Sequence, residues 1–221
     1  MSGPDKTKLK IDFVSDVSCP WCVIGLRAME EALETLEDVE AEIHFKPFEL
    51  NPNMDADGQD LDEHIAQKYG TTPEQSAATR EMIRARGAEL GFVFDREKYQ
   101  RIYNTFDTHR LLHWAELEGK QHALKTALFE TYFTEGNNPG ARDVLIDVAS
   151  KVGLDGQRAA EILSGNEFAD AVRQEQALYH RAGIHAVPAI VVNDKHLIQG
   201  GQPVEVFQQA FAQIAAEMQA G

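Results

Sequence analysis

The sequence predicts an α/β fold, built as a β-α-β half and an α-β-β-α half around a large, all-helical insertion. Three observations carry this reading. An alternating β-type stretch near the N-terminus passes directly into an amphipathic helix. Roughly a hundred residues of almost unbroken helical pattern follow. The chain then returns to short apolar strands before a last helix.

Leu9 to Ser15 alternates and carries β-forming residues, so it reads as the first strand. From Pro20 the pattern changes: Cys22, Leu26, Met29, Leu33 and Leu36 recur at helical spacing and form one apolar stripe. Pro20 fits a first helical turn, where its missing N–H costs nothing. Ala41 to Phe48 is a second strand, with Ile43 and Phe45 alternating against His44 and Lys46, and Pro47 near its end. Leu50-Asn51-Pro52-Asn53 breaks the chain. Helices are then expected over 61–69, 73–90, 107–118, 121–134, 141–152 and 156–164. Thr72-Pro73 marks a helix start, and Gly70, Gly91, Gly119, Gly136 and Gly153 fall where C-terminal stops belong. Asn166 to Ala182 reads as a further helix. Gly183 to Pro188 leads into a buried-type strand, Ala189 to Val192, then an Asn193-Asp194 turn and a partner strand, His196 to Ile198. After Gly200-Gly201-Gln202-Pro203 comes the final helix, with Val206, Phe207, Ala210, Phe211 and Ile214 on its apolar face.

These elements divide the chain into 8–55 and 166–221, two halves of one unit, and 56–165, an inserted helical domain. Without the insertion the element order is that of a thioredoxin fold. An insertion of this size is tolerable because loop-closure cost grows only slowly with length. The chain contains no internal repeat or low-complexity tract.

Composition excludes several function classes. Hydrophobic residues make up 43% and charged residues 26%, ordinary values for a globular chain. Lys plus Arg number 21 against 36 Asp plus Glu, a net charge of −15. Such a surface repels nucleic-acid phosphates and anionic membranes, so neither is an expected partner. Arg80, Arg84 and Arg86 read as a solvated helix face rather than an anion site. The segment Met1 to Lys8 lacks the apolar run of a secretory signal. No stretch approaches the length of a membrane span. A cytoplasmic location is therefore expected, where thiols stay mostly reduced and disulfides are transient and catalytic.

The chemistry concentrates in Cys19-Pro20-Trp21-Cys22, which holds the only two cysteines of the 221 residues. Strand before and helix after place Cys19 at the helix N-terminus, with Cys22 one turn in and facing the core. Free N–H groups and the positive end of the helix dipole favour a thiolate at Cys19 over a thiol. Cys19 is then the nucleophile that forms a mixed disulfide, and Cys22 resolves it. Pro20 and Trp21 supply no positive charge, which implies weaker thiolate stabilisation than a histidine between the cysteines would give. A zinc half-site is one alternative, but it needs two more ligands. His109 and His113 share a helix at a spacing of four, yet lack finger spacing relative to the cysteines, and no metal is expected. Two ordinary core cysteines are the other alternative, and for Cys22 alone that reading would suffice.

The chain resembles the DsbA-like superfamily of thioredoxin-fold oxidoreductases, most closely its FrnE-type branch. The residues that carry the resemblance are Ser15 to Cys22, Asn104 to Arg110, Gly183 to Pro188 and Gly200 to Pro203, in the family's order. The resemblance implies that Val187-Pro188 is a cis peptide bond beside the cysteines, with the Val187 backbone open to an extended substrate. It also implies a lid-like role for the helical block over the active face. Asn104, Asp107 and His109 are expected to cap and anchor a helix rather than contact substrate. Asp12, mid-strand between Ile11 and Phe13, is expected at a solvated strand edge, the alternative being a buried proton acceptor for Cys22.

The activity that follows is thiol–disulfide exchange or isomerisation on protein or small-molecule disulfides. No cofactor is expected to be bound, and glutathione or another thiol would serve as co-substrate. A second function class keeps the fold: a glutathione-dependent isomerase or transferase, similar to 2-hydroxychromene-2-carboxylate isomerase and the kappa-class transferases. Those relatives typically carry serine where Cys19 stands. In that reading Gly200-Gly201-Gln202 would hold a glutathione carboxylate at a helix start; a tight turn explains the same glycines. A third class is a non-enzymatic chaperone or pathway accessory protein whose disulfide switches its conformation.

Overall fold

A computed structural model describes residues 6–220; of the N-terminal segment read above, residues 1–5 lie outside the described residues, as does Gly221. Strand β1 (Thr7–Ser15) runs into helix α1 (Pro20–Glu34) and returns as β2 (Val39–Pro47), parallel to β1, with Ile11 opposite Ile43 and Phe13 opposite Phe45. At the far end of the chain β5 (Ala189–Val192) pairs antiparallel with β1, and β6 (His196–Gln199) with β5, so the sheet order is β2-β1-β5-β6. Asn193 and Asp194 close the β5–β6 hairpin, both at positive φ, a conformation these two residue types tolerate. The predicted strands and helices are all present, with ends shifted by up to three residues.

Between β2 and β5 lie β3 (Gln59–Asp60), α2 (Leu61–Tyr69), α3 (Pro73–Glu89), β4 (Arg101–Ile102), α4 (Phe106–Leu117), α5 (Gln121–Phe129), α6 (Arg142–Lys151), α7 (Gly156–Ser164) and α8 (Ala169–Arg181); α9 (Val204–Ala220) closes the chain. Helix α5 runs on as a π-turn over Glu130–Thr134. Sequence spacing missed the β3–β4 ribbon, because strands of two residues carry no period. Thr72 does cap α3, in a reciprocal box with Gln75, and the five glycines expected as helix stops all sit at positive φ.

One of the attachments that fasten the insertion to the sheet is a clamp that the sequence does not advertise. Strand β2 is an edge, and the Gln121 amide at the start of α5 satisfies it: Phe45 N donates to Gln121 Oε1 at 2.8 Å and Gln121 Nε2 donates to Phe45 O at 2.9 Å. Phe45 then packs edge-on against Phe13. The helical block is thus docked on the strand that flanks β1.

Side chains alternate across β1. Ile11 and Phe13 face the core shared with α1 and α9, whereas Val14 packs on the other side with Phe48, Tyr179 and Ile184. Asp12 follows Val14, which corrects the expectation for it. β1 is central, so there is no solvated edge, and Asp12 is 4% exposed. It accepts a hydrogen bond from Tyr179 OH at 3.0 Å and lies 3.5 Å from Lys10 Nζ. That face is opposite to the one Cys22 occupies, so neither reading of Asp12 survives. In α1, Cys22, Leu26 and Met29 are buried, but Leu33 is half-buried and Leu36 falls in the turn beyond the helix. In α9 the buried stripe is Phe207, Phe211, Ile214 and Ala215; Val206 points outward, one position off the stripe.

Candidate active site

The site is assembled at the C-terminal end of β1. Cys19 is the N-cap of α1 in an extended conformation, Pro20 occupies the first turn, and no side chain caps the helix. The turn is held by Cys19 N donating to Asp16 O at 3.2 Å and Cys22 N donating to Cys19 O at 3.1 Å. Both cysteines are free thiols. Cys19 is 4% exposed and Cys22 not at all, so a partner sulfur from solvent can reach only Cys19. Burial pushes the Cys22 thiol well above its ordinary range, and the neighbouring Cys19 sulfur pushes it further. Cys22 is therefore held as a protonated, sheltered thiol.

Val187-Pro188 is cis, as the resemblance implied. The Cys19 thiol donates to Val187 O across 3.7 Å, so the two segments, far apart in sequence, meet at the Cys19 sulfur. Pro188 is buried against α1 at Gly25, where an added Cβ would lie 3.1 Å from the proline ring. Trp21 is half-buried. Its carbonyl oxygen would lie 2.9 Å from a Cβ at Gly201. Close approach to α1 thus accounts for Gly201, and a turn at φ 82° for Gly200.

Asn104 to Arg110 does structural work. Asn104 Oδ1 accepts from Phe106 N at the start of α4, and Asp107 pairs with Arg110. Arg110 is buried and ties α4 to the α7–α8 connection through Ile162 O, Gly165 O and Glu167 O. His109 Nε2 donates to Phe48 O at 3.0 Å and lies 3.7 Å from Asp16 Oδ1. Among the described residues, His113, Glu116 and Glu175 form the one group spaced like metal ligands; it contains neither cysteine, and the Lys46 ammonium lies 3.2 Å and 3.3 Å from its two carboxylates. Arg80 and Arg84 pair with Asp62 and Glu81 at the surface.

Three charged residues near the cysteines escaped sequence reading. Asp16 is fully buried; burial opposes its charge, but His109 and the Leu50 amide (2.7 Å) outweigh that, and its carboxyl lies below the usual range. Lys68, at the end of α2, donates to Leu50 O and Asn51 Oδ1, and its pKa is lowered by burial while Asp16 and Cys19 act the other way. Beside it opens a cleft of about 600 Å³ lined by Leu50, Met54, Gln59, His64 and Lys68. Lys125, on α5, is 1% exposed, with its ammonium 5.9 Å from the Phe45 ring and 5.0 Å from the Phe129 ring. Burial pulls it down to about 8, against the opposing pull of Cys22, Asp16 and Cys19. The Pro-Trp pair carries no cation, yet two lysines supply one through space.

The family model described as DSBA-like thioredoxin domain matches residues 10–212. The chain belongs to that family. It is 31% identical over 205 residues to the uncharacterized protein YwbO of Bacillus subtilis, covering 91% of this chain and 95% of that one. The crystal structure of the probable DsbA oxidoreductase SCO1869 from Streptomyces coelicolor superposes with a TM-score of 0.87 at 30% identity, covering 93% of this chain and 89% of that one. The cytosolic disulfide reductase DsbM from Pseudomonas aeruginosa, solved with GSH, shares the fold at 17% identity and a TM-score of 0.63, covering 93% and 98%.

Proposed function

We propose that this DsbA-like chain catalyses thiol–disulfide exchange through Cys19 and Cys22, on protein or low-molecular-weight disulfides, in the cytoplasm. The observation that carries the reading is the unequal placement of two thiols on one helical turn: Cys19 at the N-cap against Val187 O, Cys22 sealed beneath it.

The Cys19 thiolate attacks one sulfur of the substrate disulfide; that S–S bond breaks, and the other sulfur leaves with the electron pair. Cys22 then loses its proton and attacks Cys19 Sγ, the mixed disulfide breaks, and the second substrate thiolate departs. The substrate has gained two electrons and the enzyme holds a Cys19–Cys22 disulfide. Two glutathione thiols, or another dithiol, restore the reduced pair and leave as a disulfide. The GSH in the Pseudomonas structure supports glutathione as that co-substrate. Run backwards, the same steps oxidise a dithiol.

The test is dithiol-driven reduction of a protein disulfide. Cys19→Ser is expected to abolish it, and Cys22→Ser to accumulate mixed disulfides. Full activity in Cys19→Ser overturns the proposal.

A further inference from the structure

A lysine is almost never fully buried without a paired charge. Lys125 is 1% exposed, and among the described residues no carboxylate lies within ion-pair distance of it. Its ammonium is held over the rings of Phe45 and Phe129, both buried. A methionine would fill that space without the desolvation penalty. Phe45 is the residue whose backbone Gln121 clamps, so the start of α5 is fixed to β2 and the lysine one turn later is fixed with it.

We infer that Lys125, carried in by the inserted helical block, is the buried counter-charge that sets the redox poise of the Cys19–Cys22 pair. The inference rests on the thiol–disulfide reading above. Reduction of the enzyme disulfide takes two electrons and two protons and leaves thiols, one of which can ionise. A fixed positive charge stabilises that thiolate and leaves the neutral disulfide nearly untouched. It therefore favours the reduced enzyme and makes the pair more oxidising. Lys125 acts through the sulfurs and is a positioning residue, not one that touches substrate.

The charge must be weighed against its surroundings. The Phe45 ring that Lys125 covers packs edge-on against Phe13 of β1, the strand that leads to Cys19, and both rings share one buried cluster with Cys19 and Cys22. Cys22, Asp16 and Cys19, in that order, hold Lys125 towards its charged form. Asp16 is itself balanced by His109 of α4, and Tyr132 of the π-turn, a phenol raised by burial, donates to Arg101 O. Lys68 of α2 adds a second, more exposed cation near Cys19. β2 turns Phe45 inward, while its His44 and Lys46 pair with Glu116 of α4. α6 presents Leu145 and Val148 to the core. On α5 itself His122 is engaged with Glu30 near the surface.

The experiment is equilibration of the full chain with glutathione redox buffers from pH 7 to 10, comparing wild type with Lys125→Met, Lys125→Gln and Lys125→Arg. At pH 7 the Met and Gln variants are expected to be at least about tenfold more reducing, close to 30 mV for a two-electron couple. The gap is expected to close towards pH 10, as wild-type Lys125 loses its proton. Arg cannot be deprotonated, so Lys125→Arg is expected to stay at or above the wild-type potential throughout. A Met or Gln variant within twofold of wild type at pH 7, or a gap independent of pH, overturns the inference. So does failure of both apolar and amide variants to fold, which would make the lysine a structural requirement. If wild type shows no Cys19-dependent exchange at all, the functional reading itself fails, a result separable from equal potentials in an active enzyme.

Discussion

Replacing Lys125 with methionine is expected to stabilise the protein at neutral pH, although it removes a charged group from the core. The lysine is held at about 8 instead of 10.5. At about 1.4 kcal/mol for each tenfold change in proton affinity, the charged lysine costs the fold about 3 kcal/mol. Below about pH 8 the ammonium is charged in both folded and unfolded chains, and the whole penalty is present. Between about 8 and 10.5 the folded chain sheds its proton first, so the unfolded state binds more protons and stability rises with pH. Above that range the penalty is gone. Urea unfolding of reduced wild type and Lys125→Met should therefore differ by about 3 kcal/mol at pH 7 in favour of the variant, equivalent to roughly 6–12 °C in Tm. The difference should shrink steadily up to pH 10. A variant less stable than wild type at pH 7, or a difference flat with pH, would refute the argument that Lys125 is a charge held in the core against its solvation.

Gly201→Ala should destabilise by about 1–3 kcal/mol and slow exchange, because its Cβ would lie 2.9 Å from Trp21 O and the redox helix must shift; chemical denaturation together with a disulfide-reduction assay reads both effects. Asp12→Asn should leave the rate of mixed-disulfide resolution within twofold of wild type, since Asp12 lies across the sheet from Cys22 and bonds Tyr179; a tenfold loss measured by stopped-flow would return Asp12 to the mechanism. Arg110→Lys should cost about 3–5 kcal/mol, because one ammonium cannot replace the buried guanidinium that bonds Ile162 O, Gly165 O and Glu167 O, and thermal unfolding measures it.

What was legible in the sequence was whatever local periodicity or covalent spacing encodes. The strand-to-helix change at Pro20 located the cysteines on the first turn of α1, whereas the cis Val187-Pro188 bond beside them followed only from the family resemblance, since a lone Val-Pro before a strand reads as an ordinary trans bond. Asp12 was misread because alternation gives a residue's face but not its strand's neighbours: only the β2-β1-β5-β6 order makes β1 central and puts Tyr179 over the carboxylate. Val206 was misread for a smaller reason, a stripe begun one position from where α9 meets the core. Lys125, Lys68 and Asp16 left no usable signal. Lys125 stands about a hundred residues from Cys22 in a short helix where a lone lysine reads as a solvent-facing side chain, and its place is fixed by Gln121 fastening α5 to the edge of β2. The electrostatics of the site are set by this tertiary docking, not by the residues between the cysteines.

The most direct test of the central claim is trapping. Cys22→Ala, expressed in cells and alkylated before lysis, should carry a protein or glutathione joined to Cys19 by a disulfide that dithiothreitol releases, identified by mass spectrometry of the Cys19 peptide. Cys19→Ala with Cys22 intact should carry none, because Cys22 is sealed from solvent. An unmodified Cys19 in the trap, with turnover that survives loss of both cysteines, would contradict the account and move the site's chemistry away from sulfur exchange.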